Sequence, residues 1–170
     1  MDSKALYLLA QFDAETERRL SSYYEFLQEH GFEGRQTKGI PYHFTLGSYG
    51  VEYEEQLIEQ LHTTCLETAS FDIRLGHIGL FGLNVLFIEP NMNFELLNLQ
   101  RSFFNDCGKG DHLWTAHATL LIDEPDTILK ALPMVAEKFE PFCAKIESIG
   151  LYEFFPARLI KECNLANTRP

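Results

Sequence analysis

Two tetrapeptides of one pattern, His43-Phe44-Thr45-Leu46 and His117-Ala118-Thr119-Leu120, lie 74 residues apart in a chain of 170. In an extended strand successive side chains point to opposite faces. His43 and Thr45 therefore share one face and Phe44 and Leu46 the other, and the second copy divides in the same way. Each strand offers an imidazole beside a hydroxyl, backed by apolar groups that can anchor it in a core. An imidazole titrates near neutrality, so one of a pair can take a proton while its partner gives one. Two of them on opposite sides of a phosphorus atom would support in-line attack. The hydroxyls can donate to non-bridging phosphate oxygens, where charge builds in the transition state. The set suits phosphodiester chemistry without a metal.

Random order of this composition gives about 0.05 copies of His-x-Thr-Leu per chain and roughly 0.001 for two. A third His-x-Thr, His62-Thr63-Thr64, falls in a helical pattern, where residues two apart do not share a face. His62 is therefore expected to be a solvated helix residue. His77 lacks a following Thr, and His30 and His112 read as loop or helix-end residues.

The elements around the two motifs follow one order. The apolar run Ala5 to Phe12 reads as a buried strand, and Asp13 can cap a helix with Leu20, Tyr23, Tyr24 and Leu27 at helical spacing. A loop from Gly34 to Pro41 leads into the first motif, and a second helix carries Leu57, Ile58, Leu61 and Cys65. Two strand-like runs, Phe71 to Leu75 and Val85 to Ile88, flank the turn-rich Gly79-Leu80-Phe81-Gly82. Asn93 then caps a helix bearing Leu96, Leu97, Phe103 and Phe104, and the loop Gly108-Lys109-Gly110-Asp111 leads into the second motif. Pro125 suits the first turn of a fourth helix, and Pro133 within it predicts a kink or two short helices. A closing hairpin, Ala144 to Leu151 and Arg158 to Cys163, turns at Phe155-Pro156-Ala157. The chain thus reads as one two-lobed α+β domain over residues 1–170, an internal repeat of approximately 1–85 and 86–170.

Composition narrows the partners. The net charge is −11, with 25 acidic against 14 basic residues. Binding a duplex or a long single strand needs clustered Lys and Arg, so no duplex nucleic acid is expected. A small anion in a locally basic pocket is compatible with this charge. The apolar runs are too short to span a bilayer and the first residues do not resemble a signal peptide, so no membrane partner and a cytoplasmic location are expected. Cys65, Cys107, Cys143 and Cys163 form no CxxC pair and lie in apolar stretches, so buried free thiols are expected.

These residues resemble a known family. Paired His-x-Thr motifs in duplicated halves look like the two-histidine (2H) phosphoesterase superfamily, which includes 2'-5' RNA ligase-like proteins and cyclic nucleotide phosphodiesterases. The resemblance covers essentially the whole chain. It implies a bilobal α+β fold with two antiparallel sheets, related by a pseudo-two-fold, around a central cleft and with helices outside. It also implies no metal or other cofactor, with His43 and His117 as the catalytic acid/base pair and Thr45 and Thr119 as phosphate-holding hydroxyls. The residue before each His is often Pro in relatives but is Tyr42 and Ala116 here. The function implied is hydrolysis of a 2',3'-cyclic phosphodiester to a 2'-phosphate. RNA 2'-5' ligation with its reverse cleavage, and non-catalytic binding of a phosphorylated nucleotide, are the alternatives. The partner is then a small phosphorylated nucleotide or short RNA end, bound by a monomer.

Candidates for the rest of the cleft are drawn from the basic and aromatic residues. Arg158 is the first choice for phosphate, ahead of Arg35, Lys38 and Lys109, because the closing hairpin could bring it beside the central sheet. Trp114 and Tyr152 stand out for stacking on a base, with Tyr7, Tyr42, Phe81 and Phe155 as further aromatics. Gln11 shares a strand face with Tyr7 and Leu9 and is a candidate polar contact.

Overall fold

The computed structural model describes residues 4–103 and 114–167. The expected readings at Phe104, Cys107, Lys109, His112 and the Gly108–Asp111 loop lie outside the described residues. The elements, in chain order, are β1 (Ala5–Phe12), α1 (Ala14–Glu29), β2 (His43–Gly50), a short 3-10 turn (Val51–Tyr53), α2 (Glu54–Glu67), β3 (Phe71–Phe81) and β4 (Val85–Pro90). They continue with α3 (Phe94–Ser102), β5 (Ala118–Ile122), α4 (Pro125–Lys138), β6 (Phe142–Phe154) and β7 (Arg158–Asn164). The α+β class follows the sequence reading.

Helix starts sit where side-chain acceptors can satisfy the first backbone N–H groups. Asp13 accepts from Thr16 N at 3.0 Å, and Asn93 accepts from Leu96 N at 2.9 Å. Pro125 occupies the first turn of α4, where its missing N–H costs nothing. Pro133 does not divide that helix, which is continuous from Pro125 to Lys138. Pro133 lies on the exposed face, as does Leu129, whose carbonyl the proline cannot bond, so water can serve that group instead.

All strand pairs are antiparallel and form one seven-stranded sheet in the order β2-β1-β6-β3-β4-β5, with β7 added to β6. Strand β6 spans two neighbourhoods: its Phe142–Ile146 part pairs with β3, and its Ile146–Phe154 part pairs with β1. The two sheets expected from the sequence are therefore two antiparallel halves made continuous through β6. A bulge between Leu75 and His77 separates the part of β3 that pairs mainly with β6 from the part that pairs with β4. The end strands of the path, β2 and β5, lie in contact with each other.

Strand β3 runs through Gly79 to Phe81, further than the glycine-rich sequence suggests, and the chain reverses only at Gly82, whose φ is 54°. Gly79 pairs with Phe87 within the strand, and that position takes glycine because a side chain there would collide with the Phe87 ring lying across it. The core packs Leu6, Leu8 and Ala10 against Leu20, Leu27, Phe44 and Leu46 in the first half. In the second half it packs Leu86 and Ile88 against Leu96, Leu99, Leu120 and Val135. Burial of each large apolar side chain stabilises the fold by roughly 1.5–3 kcal/mol relative to exposure. Cys65 is buried as expected, whereas Cys143 is exposed because alternation in β6 turns it away from Phe142 and Ala144. No helix among the described residues is long and apolar enough to cross a membrane.

Candidate active site

Alternation places the motif residues as their spacing predicts. Phe44 and Leu46, and likewise Ala118 and Leu120, are buried in the core, while His43, Thr45, His117 and Thr119 are half-buried on the other side. His43 is the first residue of β2, and His117 immediately precedes β5. Because β2 and β5 are the touching ends of the sheet path, residues 74 apart in sequence come to one place.

The two imidazoles are held in the same way. His43 Nδ1 lies 2.8 Å from the Pro41 carbonyl oxygen, and His117 Nδ1 lies 2.8 Å from the Thr115 carbonyl oxygen. Each carbonyl belongs to the residue two positions earlier, and it can only accept. The ring therefore carries its proton on Nδ1 and leaves Nε2 with a lone pair. Burial is the main force pushing both imidazoles below the ordinary histidine range, and the carbonyl bonds oppose it. At His43 the charge of His117 adds to the lowering, so the two rings are electrostatically coupled.

A cavity of 560 Å³ opens beside the first motif and is lined by His43, Thr45 and Thr119 together with residues of β1, α1 and the loop before β2. That loop is pinned across the sheet ends: Arg35 N donates to the Ile122 carbonyl at 2.7 Å, and Ile122 N donates to Gln36 Oε1 at 3.2 Å. Arg35 also pairs with Glu124 at 2.6 Å. Glu17 accepts from Tyr42 N with its two carboxylate oxygens at 3.0 and 3.1 Å, which fixes the residue just before His43.

His117 is not among the residues lining the cavity; it is seated on aromatic rings instead. Phe81 meets it edge-on at 4.6 Å between centroids and Phe87 at 5.2 Å. Phe81 is partly exposed at the β3–β4 hairpin, while Phe87 alternates with Leu86 and Ile88 and so faces the histidine rather than the core. Phe87 and Glu17 are the two supports that the sequence reading did not single out. Strand alternation could have flagged Phe87; Glu17 reads in sequence only as a first-turn acid favoured by the helix dipole.

The other expected cleft residues take different places. Gln11 is opposite His43 in the β1–β2 register but is buried, donating to Tyr152 Oη at 3.1 Å and accepting from Ser148 Oγ at 2.9 Å. Tyr152 is buried in that network. Trp114 packs against the core and donates from Nε1 to the Thr45 carbonyl at 2.8 Å. Arg158 is exposed on β7, with Nε 3.3 Å from Glu153, which also binds Lys4 at 2.9 Å. None of these four lines the cavity, whereas Tyr7, Tyr42, Phe155 and Lys38 do. His62 and His77 are exposed.

A fold whose end strands each bring a histidine and a threonine to one place is that of a two-histidine phosphoesterase. The sequence profile of the 2'-5' RNA ligase superfamily matches residues 15–154, and the chain belongs to that superfamily, a group of enzymes acting on phosphodiesters. No curated protein matches the chain significantly. Among solved structures it is similar to E. coli LigT complexed with 3'-AMP, with a TM-score of 0.66 and 16% identity over 96% of this chain and 99% of that one. It is also similar to TT0787 of Thermus thermophilus, with a TM-score of 0.67 and 16% identity over 97% of this chain and 100% of that one. A structure described as a phosphoesterase gives a TM-score of 0.67 at 16% identity, covering 96% and 99% of the two chains.

Proposed function

We propose that the chain is a metal-independent phosphoesterase that opens a cyclic phosphodiester of a nucleotide or short RNA end. The observation that carries this reading is the matched seating of His43 and His117, each with Nδ1 on a backbone carbonyl and Nε2 left for substrate. On a 2',3'-cyclic phosphate, one imidazole takes a proton from water as the water oxygen attacks phosphorus. The other, protonated, gives its proton to the ribose 3'-oxygen as the P–O3' bond breaks. The product carries the phosphate on the 2'-oxygen. Thr45 and Thr119 donate to the non-bridging oxygens, where loss of one donor costs about 3–4 kcal/mol in comparable sites. Each proton transfer contributes about 10²–10⁴ in rate.

A phosphorylated nucleotide as ligand is supported by the neighbouring fold, since E. coli LigT has been solved with 3'-AMP, with ATP and with NADP+. The net charge of −11 favours such small ligands over ligation of long RNA. The test is incubation with 2',3'-cyclic mononucleotides in EDTA at two salt concentrations, with the product regiochemistry read by phosphorus NMR. The expected result is a 2'-phosphate formed with shallow salt dependence. A steep salt slope with turnover only on oligonucleotides would favour the ligase-type reading, and tight binding without turnover would favour a nucleotide-binding role.

A further inference from the structure

Between the carboxylate of Glu17 and the imidazole of His43 stands a single peptide unit. Glu17 accepts the Tyr42 N–H with both of its oxygens, at 3.0 and 3.1 Å. The carbonyl of that same amide is the Pro41 oxygen, which accepts the His43 Nδ1–H at 2.8 Å. The Pro41–Tyr42 bond is trans, so its N–H and C=O point in opposite directions. The carboxylate therefore sits at the positive end of the peptide dipole and the imidazole at the negative end.

Hydrogen bonds chained in this way polarise one another. A negative charge on the N–H makes the carbonyl a stronger acceptor, and a stronger acceptor favours the charged form of the ring that donates to it. A carboxylate bonded directly to an imidazole stabilises an imidazolium in the same sense. No ion pair among the described residues includes Glu17, so no cation there offsets its charge. Burial pushes its carboxyl above the usual carboxylate range, the mark of a charge that water screens poorly. Also facing this pair are His117, whose charge works against that of His43, the phenols of Tyr7, Tyr24 and Tyr42, and the Lys38 ammonium, which lies 3.3 Å from Glu33.

We propose that Glu17 is a positioning residue that acts on His43 through the Pro41–Tyr42 peptide, holding the ring's orientation and its Nδ1 proton and stabilising its charged form during proton transfer. The part this plays in turnover rests on the phosphodiester reading, whereas the relay itself does not. His117 makes the same kind of bond to the Thr115 carbonyl and supplies the internal comparison.

The test is proton NMR titration of both imidazoles in the full chain and in Glu17→Gln, which needs no substrate. Glutamine keeps an oxygen for the Tyr42 N–H and removes the charge. The expected result is a His43 titration lowered by about 0.5 pH unit or more in the variant, with His117 moving less than half as far. In the parent chain the Tyr42 amide proton should also move upfield as the Glu17 carboxyl takes up its proton, a reading that needs no variant to fold. A His43 titration unchanged in Glu17→Gln overturns the proposal and leaves Glu17 as a support for the loop before His43. So does a Tyr42 amide proton that ignores the protonation of Glu17, or a His117 that moves as far as His43. With a 2',3'-cyclic mononucleotide as substrate, Glu17→Gln should carry one limb of the kcat/KM profile to lower pH while the other stays. A relay seen by NMR in a parent chain that turns over no cyclic nucleotide would uphold the proposal and overturn the phosphodiester reading alone.

Discussion

The indole Nε1 of Trp114 donates to the backbone carbonyl of Thr45 at 2.8 Å, tying the segment that leads to His117 directly to the strand that begins at His43. This bond spans the contact between the two ends of the sheet. It gives a stacking candidate of the sequence a positioning task. Trp114→Phe keeps most of the ring in the core but leaves the Thr45 carbonyl without its donor. The expected loss is about 1 kcal/mol in urea unfolding. Turnover of a cyclic nucleotide should fall further, by roughly tenfold, because the relative placement of the two motifs loosens. A stability loss with unchanged kcat would assign the bond a purely structural role.

Phe81 shields His117 from water, and burial is what holds that imidazole below the usual histidine range. Phe81→Ala opens that side. Hydration favours the charged ring, so the His117 titration should move upward, toward about 6.5. Proton NMR of the imidazole across the pH range measures this, and a downward or absent movement would contradict the role given to Phe81.

The lowered titration of both histidines fixes the sign of the pH dependence. The base must be neutral and the acid must be protonated, so kcat/KM should trace a bell. With both groups depressed, protonation of the acid is lost below the ordinary value, and both limbs of the bell fall under about pH 6.5. A kcat/KM profile still rising through pH 8 would contradict this arrangement.

Gly79 faces the Phe87 ring, which in turn seats His117. Gly79→Ala should force that ring to shift, at a cost of about 1–3 kcal/mol in denaturant unfolding. Cyclic-nucleotide turnover should drop with it. Unchanged stability would mean that the Phe87 ring can yield freely.

The legible parts of the sequence were those where one local rule decides. Alternation in His43-Phe44-Thr45-Leu46 and its partner set which side chains face the core, and Asp13, Asn93 and Pro125 marked three helix starts. What local rules missed depends on neighbours distant in sequence. Gly79 looks like a turn residue until Phe87 crosses it, and Gln11 looks like a cleft residue until Tyr152 and Ser148, more than 130 positions on, claim its amide. Glu17 gave no signal because its partner, the N–H of Tyr42, is a backbone group. Continuity of the sheet was likewise hidden, since it rests on β6 pairing with β1 along one part and with β3 along the other.

The central claim is that His43 and His117 act as a matched acid/base pair. It is tested most directly by kcat on a 2',3'-cyclic mononucleotide in EDTA for the parent chain, His43→Ala, His117→Ala and the double variant, with folding checked by circular dichroism. Each single substitution should lower kcat by about 10²–10⁴, and the double variant by little more than the worse single one, because the two rings serve one reaction. A folded single variant that retains the parent rate would contradict the paired mechanism.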